Sequence, residues 1–251
     1  MGRRYPRYLG TERLNLRLTL PEMPYNISIA PDFACLCPDF SLAVIEAKVG
    51  NKPTDHHLKQ EMDRLSAEIL LTTKIEEIKT IPSIRYTRAA YKLCGKDPNR
   101  YRPAAEQLLR RIIKGLGIYY VNQLVDLGNI VSLTTGYSLG VFDADRVLPE
   151  ITLRIGTKDD LFEGIGRGLL NVEGLPIYHD ANGPFATPTS DSERSKVVLS
   201  TTNTLIFINN YIPQKEEGLE SLHKAVELTK NLLFRFVGAT DISSKIISFC
   251  K

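Results

Sequence analysis

The sequence predicts an α/β (α+β) protein in which helices surround a mixed sheet, and three features lead there. Ser41–Val49 reads SLAVIEAKV, a nearly continuous apolar run of the kind that forms a strand covered on both faces. Ala105, Leu108, Leu109, Ile112, Ile113 and Leu116 recur at i, i+3, i+4, i+7, i+8 and i+11, an amphipathic helix. The second half of the chain alternates short apolar runs with turns rich in glycine and proline. Strand and helix signals interleave, so the helices are expected to pack on the sheet.

In chain order, residues 1–26 form a basic leader and residues 27–251 the folded domain. The leader holds Arg3, Arg4, Arg7, Arg13 and Arg17, then Leu14, Leu16, Leu18 and Leu20 at strand period. It reads either as an arm adding an edge strand or as an upstream extension, with Met23 the true start. Ile27–Ile29 and Ser41–Val49 are strands. Asp55–Thr73 is helical, with Leu58, Met62, Leu65 and Ile69 on one face. Ser83 is placed to cap a short helix whose buried face is Tyr86, Ala89, Ala90, Leu93 and Cys94, ending at Gly95. Pro103 suits the first turn of the next helix, and Gly115 and Gly117 close it. A helix from Asn122 to Thr135 stops at Gly136. Strands follow near Leu139–Phe142, Ile151–Ile155, Pro176–Tyr178, Gly183–Ala186 and Leu205–Ile208. Glu216–Phe236 closes the fold as an amphipathic helix.

With 43% hydrophobic and 24% charged residues, the composition is that of a globular protein rather than a disordered one. The net charge of +3 is too small to identify a partner, so the distribution of charge carries the argument. Cys35, Cys37, Cys94 and Cys250 show no CxxC spacing and read as reduced thiols of a cytoplasmic protein. No apolar run reaches the roughly 18 residues of a membrane span, and the N-terminus lacks the apolar core of a secretory signal.

Between Arg85 and Gly117 the cations are Arg85, Arg88, Lys92, Lys96, Arg100, Arg102, Arg110, Arg111 and Lys114, against only Asp97 and Glu106. On a helical wheel Arg110, Arg111 and Lys114 lie opposite the apolar stripe. Such a face suits a phosphate backbone, or is a solvated face paired with acids elsewhere. On the 122–135 helix, Asn122, Asp126 and Asn129 fall within roughly 60° of one another. This stripe lines a pocket or is exposed, with Asp126 capping a neighbouring loop in the latter case. Thr187, Thr189, Ser190, Asp191 and Ser192 gather hydroxyls and one carboxylate in a loop that could order a ligand or a water, or be an ordinary polar turn. His56 and His57 are adjacent and cannot make an i, i+4 metal pair; His179–Asp180 offers a base beside an orienting acid. No metal site and no cofactor are expected, and no phosphate loop, nucleophile elbow or HExxH occurs.

The ordered run RYRP (Arg100–Pro103), LLRR (Leu108–Arg111), LVDL (Leu124–Leu127), Asn129 and VSL (Val131–Leu133), continuing through YHDANGP (Tyr178–Pro184), resembles the B3/B4 tRNA-editing module of the bacterial phenylalanyl-tRNA synthetase β subunit. It is closer to free-standing copies of that module, and the resemblance extends from about Ile27 to the C-terminus. It implies two intimately packed halves with a pocket between them. In the synthetase that pocket hydrolyses tyrosine misattached to phenylalanine tRNA.

Carried over by residue, the resemblance is mixed. Asn129 matches the asparagine of the family's threonine–asparagine pair, with Gly128 at the threonine position. Asp126 matches the aspartate of the preceding stretch. Gly140 stands where the synthetase has its pocket histidine, Thr187–Ser192 replace a glycine-rich run, and no acid occupies Thr204–Ile208 where a glutamate would fall. An aminoacyl ester is activated, so its hydrolysis needs little beyond a positioned water and a stabilised oxyanion. The resemblance therefore implies a free-standing domain that binds tRNA or aminoacyl-tRNA and hydrolyses mischarged tRNA in trans. Asn122, Asp126, Asn129, Thr187 and Ser190 would hold substrate, and Asp191 would be the catalytic base. Arg85, Arg88, Lys92, Arg100, Arg102, Arg110, Arg111 and Lys114 would contact RNA. Neither DNA nor a membrane is an expected partner, and complete ligase activity is not expected. The alternatives are a non-catalytic RNA- or amino-acid-binding module and a protein-interaction domain.

Overall fold

The computed structural model describes residues 24–248; of the basic leader expected over residues 1–26 all but the last three residues lie outside them, as does Cys250, while Tyr25 is buried and Asn26 opens the first strand. A four-stranded antiparallel sheet forms the middle layer. Its strands are β2 (Ser41–Lys48), β3 (Leu139–Asp143), β10 (Asn203–Asn210) and β11 (Thr240–Ser248), in the order β11-β2-β10-β3. A mixed five-stranded sheet lies against it. It holds β1 (Asn26–Ile29), β4 (Glu150–Ile155), β7 (Pro176–Asp180), β8 (Gly183–Thr187) and β9 (Ser190–Asp191), with β1 and β4 parallel. A two-stranded hairpin, β5 (Glu163–Gly164) and β6 (Gly168–Leu169), stands apart.

The apolar run of β2 is explained by this layering. Ala43, Ile45 and Ala47 face one core, shared with α2 (His56–Thr72), α4 (Ala104–Ile113), α5 (Gln123–Thr135) and α6 (Gly218–Val237). Leu42 and Val44 face a second core between the sheets, with Phe142, Ile151, Leu153, Tyr178, Phe185 and Phe207. β10 divides likewise, Ile206 and Ile208 to the helices and Leu205 and Phe207 to the other sheet. Alternate side chains of a strand point to opposite faces, so a doubly covered strand must be apolar throughout.

Several sequence expectations are corrected. The helix α3 (Pro82–Leu93) starts with Pro82 in its first turn after Ile81, so Ser83 is not its cap; the buried Ser83 hydroxyl donates instead to the Thr135 carbonyl at 2.9 Å. Its buried face is Ser83, Ile84, Thr87, Ala90 and Tyr91, while Ala89 and Leu93 are exposed. The helix turns this way because Tyr91 reaches Thr189 (2.8 Å) in a third core with Phe162, Val172, Leu175 and Ile177. Leu116 lies beyond the end of α4 and is exposed. The chain does not close on α6, which ends at Gly238 in a left-handed conformation; β11 follows and adds an edge to β2. β11 escapes sequence reading because an edge strand packed on one side tolerates the polar TDISSK pattern. A short helix α1 (Pro31–Leu36) and the β5–β6 hairpin were also not foreseen. Cys35, Cys37 and Cys94 are free thiols. No helix among the described residues is long and apolar enough to cross a membrane.

Candidate active site and nucleic-acid face

The core helix α5 is buried on nearly every side, between α2, α4, α6 and β3, which decides the fate of its polar stripe. Asn122 caps its N-terminus, its side chain accepting from Val125 N at 3.0 Å. Asp126 is fully buried and accepts from the Thr54 hydroxyl and, at 3.1 Å, from Val121 N, fixing the loop that enters the helix. Burial raises its pKa, opposed by those two hydrogen bonds and by Lys59. Neither residue lines the groove that Asn129 reaches, and the contacts their side chains make are with the backbone and side chains of the fold. Asn129, half-buried one turn further on, does open onto a groove.

That groove encloses about 500 Å³ and is walled by α4, with Arg102 just before it and Leu116 and Tyr119 just after. Asp191 reaches it from β9, Leu139 from β3 and Arg167 from the β5–β6 turn. Arg110, Arg111 and Lys114 all line it, so its wall carries five cations against the single acid Asp191. Asp191 keeps some solvent contact as a residue, but its carboxyl is crowded by protein. That desolvation pushes its pKa up to about 7, against a lowering backbone hydrogen bond from Val141. A carboxylate poised near neutrality can accept a proton from water and return it.

The expected hydroxyl loop is a tight hairpin turn. Thr187 Oγ1 accepts from both Thr189 N and Ser190 N at 3.0 Å and donates to Ser190 O, so its role is to shape the turn. Ser190 and Thr187 face a second, smaller cavity of about 240 Å³ on the other side of this turn, with Arg100, Arg102, Phe162 and Leu175. This cavity is more enclosed, but the groove is the place where an amide, a near-neutral carboxyl and a cluster of cations meet, and it is the better candidate for chemistry.

The predicted basic residues are divided among three places. Arg85, Arg88 and Lys92 surround a hollow on α3 with Lys79 and Asn99, Arg100 and Arg102 rim the smaller cavity, and Arg102, Arg110, Arg111 and Lys114 line the groove. Two of them are committed to the fold. Glu106 has no exposed side-chain surface, and its carboxylate accepts from Arg88 Nη1 and Arg110 Nε, each at 2.8 Å. Arg88 also donates to Pro98 O and Asn99 Oδ1, so it ties α3, α4 and their connection together rather than facing solvent. Arg85 is exposed, 3.5 Å from Glu216.

Gly140 is closed off by a neighbour on its own strand. On β3, Leu139 and Val141 pack toward the helices, whereas Gly140 shares the opposite face with Phe142, whose ring lies where a β-carbon at 140 would go. The position matching the family's histidine is therefore filled by Phe142 and does not open onto the groove. At Gly128 a β-carbon would stand 2.8 Å from Val141 Cγ2, so the helix and strand meet too closely for a threonine there without a shift. His179 and Asp180 do not form a pair: Asp180 is buried and held by Arg194 at 2.8 Å, Leu148 N at 2.9 Å and Asn182 N at 2.8 Å. Sequence reasoning missed Gln107, Tyr119 and Arg167 as lining residues. Only Tyr119, in the apolar GIYYV run beside a basic helix, carried a local signal.

The B3/4 domain profile matches residues 86–235. Over 168 residues the chain is 21% identical to the phenylalanine–tRNA ligase beta subunit of Bartonella henselae, covering 58% of this chain and 21% of that protein. It is also 21% identical over 165 residues to the same subunit of Bartonella quintana, covering 57% and 20%. The chain thus spans about a fifth of the length of these curated relatives. Among solved structures, an N-terminal fragment of the phenylalanyl-tRNA synthetase beta-subunit from Pyrococcus horikoshii aligns with 88% of this chain and 51% of its own, at TM-score 0.46 and 16% identity.

Proposed function

The chain belongs to the B3/4 domain family, and from that premise we propose that it engages the aminoacylated end of a tRNA and hydrolyses the ester in trans. The observation that carries this reading is the meeting of Asn129, Asp191 and the cations of α4 in one groove. The relatives' names tie them to tRNA and phenylalanine, and the basic wall suits a phosphodiester strand. Asp191, as the carboxylate, takes a proton from water as the water oxygen bonds to the ester carbonyl carbon. The Asn129 amide and the neighbouring cations stabilise the oxyanion. The carbonyl–oxygen bond to the ribose then breaks, and Asp191 returns the proton to the departing hydroxyl.

A second reading, recognition without hydrolysis, is favoured by one observation: Phe142 fills the space over Gly140. Incubating the protein with a panel of correctly and incorrectly charged tRNAs separates the two. Hydrolysis of particular charged tRNAs, lost in an Asn129→Ala, Asp191→Ala double variant, supports the enzyme. Salt-sensitive binding with every ester intact supports the recognition module, and no binding at all sinks both.

A further inference from the structure

Between α4 and α5 the chain makes a loop that is apolar, aromatic and exposed, with Leu116 at 59%, Tyr119 at 70% and Val121 at 58% exposure. It is not loosely held. Gly115 and Gly117 take left-handed conformations (φ 71° and 61°), and Arg111 donates from Nη2 to Leu116 O at 3.2 Å, folding the loop back over its own helix. The two adjacent tyrosines are used differently. Tyr120 turns to α2, its hydroxyl donating to Asp63 at 2.5 Å with Lys59 over its ring. Tyr119 turns into the groove, where the Arg111 guanidinium lies 4.0 Å from its ring centroid. Among the described residues no carboxylate pairs with Arg111 and its buried Nε has no hydrogen-bond partner, so the guanidinium is placed by Leu116 O and by the Tyr119 ring.

We infer that Tyr119, backed by Arg111, is a stacking platform for one unpaired nucleobase. Resting on the RNA reading of the same groove, the inference specifies that the groove takes a single strand rather than a duplex. An aromatic face beside a row of cations is how sequence-tolerant single-strand binding is built, stacking on the base and charge on the backbone. A base within a duplex cannot present its face to Tyr119. The five cations around the groove argue against an apolar protein segment as the occupant.

The chain has no tryptophan, so Tyr119→Trp places a single indole at the platform. A short single-stranded oligoribonucleotide should quench that indole, and a blunt duplex with the same number of phosphates should not. Tyr119→Ala should bind the single strand roughly tenfold more weakly with an unchanged slope of log affinity against log salt, while Tyr119→Phe retains affinity. Lys114→Ala should instead lower that slope. Undiminished affinity in Tyr119→Ala, with salt-dependent RNA binding intact, overturns the platform and leaves the RNA reading standing. Failure of the parent to bind either RNA removes both. A concentration-dependent blue shift of the indole without RNA would assign the loop to contact between copies and also overturn the inference.

Discussion

Arg88 donates to Glu106 at 2.8 Å across 18 residues of chain, and the carboxylate it meets is wholly withdrawn from solvent. The same carboxylate binds Arg110, so one buried acid sets the spacing of α3 and α4 and aims the groove wall. Removing one partner of a buried ion cluster strands the others. Glu106→Ala should therefore cost about 3–5 kcal/mol. Urea denaturation should show a lower midpoint with unchanged m; a midpoint equal to the parent's would refute the structural role.

Asp126 gives the contrasting case, a residue matching the family's aspartate but placed under the loop. Asp126→Ala should lose about 1–3 kcal/mol of stability by stranding Thr54 and Val121 N. Its RNA affinity, measured well below the melting temperature, should match the parent's. Intact stability with lost affinity would return Asp126 to the binding site.

Asp191 makes stability and activity depend on pH in opposite directions. Its pKa rises from 3.8 when unfolded to about 7 when folded, so the native state holds the proton more tightly. The resulting stabilisation is complete below about pH 4 and is lost as pH rises through about 7. Asp191→Asn should flatten this profile, gaining a few kcal/mol on the parent at pH 8 and nothing at pH 4. Hydrolysis by the parent should climb through pH 7 and level off as the base ionises. Identical stability profiles for parent and variant would contradict the buried carboxyl.

Restoring the family's histidine should not restore its chemistry. Gly140→His drives a side chain into the Phe142 ring between the sheets, and overpacking there should cost about 1–3 kcal/mol or more. The thermal midpoint should fall with no gain in hydrolysis. A variant that folds as well as the parent and hydrolyses faster would place position 140 in the groove after all.

The cations should separate by role when salt is varied. Arg111→Ala and Lys114→Ala should each reduce the slope of log affinity against log salt by about 1 if each meets one phosphate. Arg88→Ala should lower the melting temperature and leave the slope unchanged, since its guanidinium is spent on Glu106, Pro98 and Asn99.

The amino-acid sequence by itself determined the doubly apolar central strand, the stripe of α4, the stop of α5 at Gly136 and, through its ordered motifs, the family. Those features depend on local periodicity and turn chemistry, which neighbours along the chain supply. It also singled out Asn129 and Asp191, whose shared groove became visible only when α5 and β9 were brought together. The tertiary structure alone decided which polar residues were free to act. A helical wheel gives the direction of Asn122, Asp126, Arg88 and Arg110, but not what is packed against them. Asn122 and Arg110 are claimed by neighbours on their own helices, Val125 N and Glu106, but the Thr54 hydroxyl that claims Asp126 and the Glu106 carboxylate that claims Arg88 lie on separate elements whose approach no local pattern encodes. Tyr119 shows the converse. It sits in the apolar run GIYYV, and only the left-handed turns at Gly115 and Gly117 and the stacking of Arg111 present it to solvent.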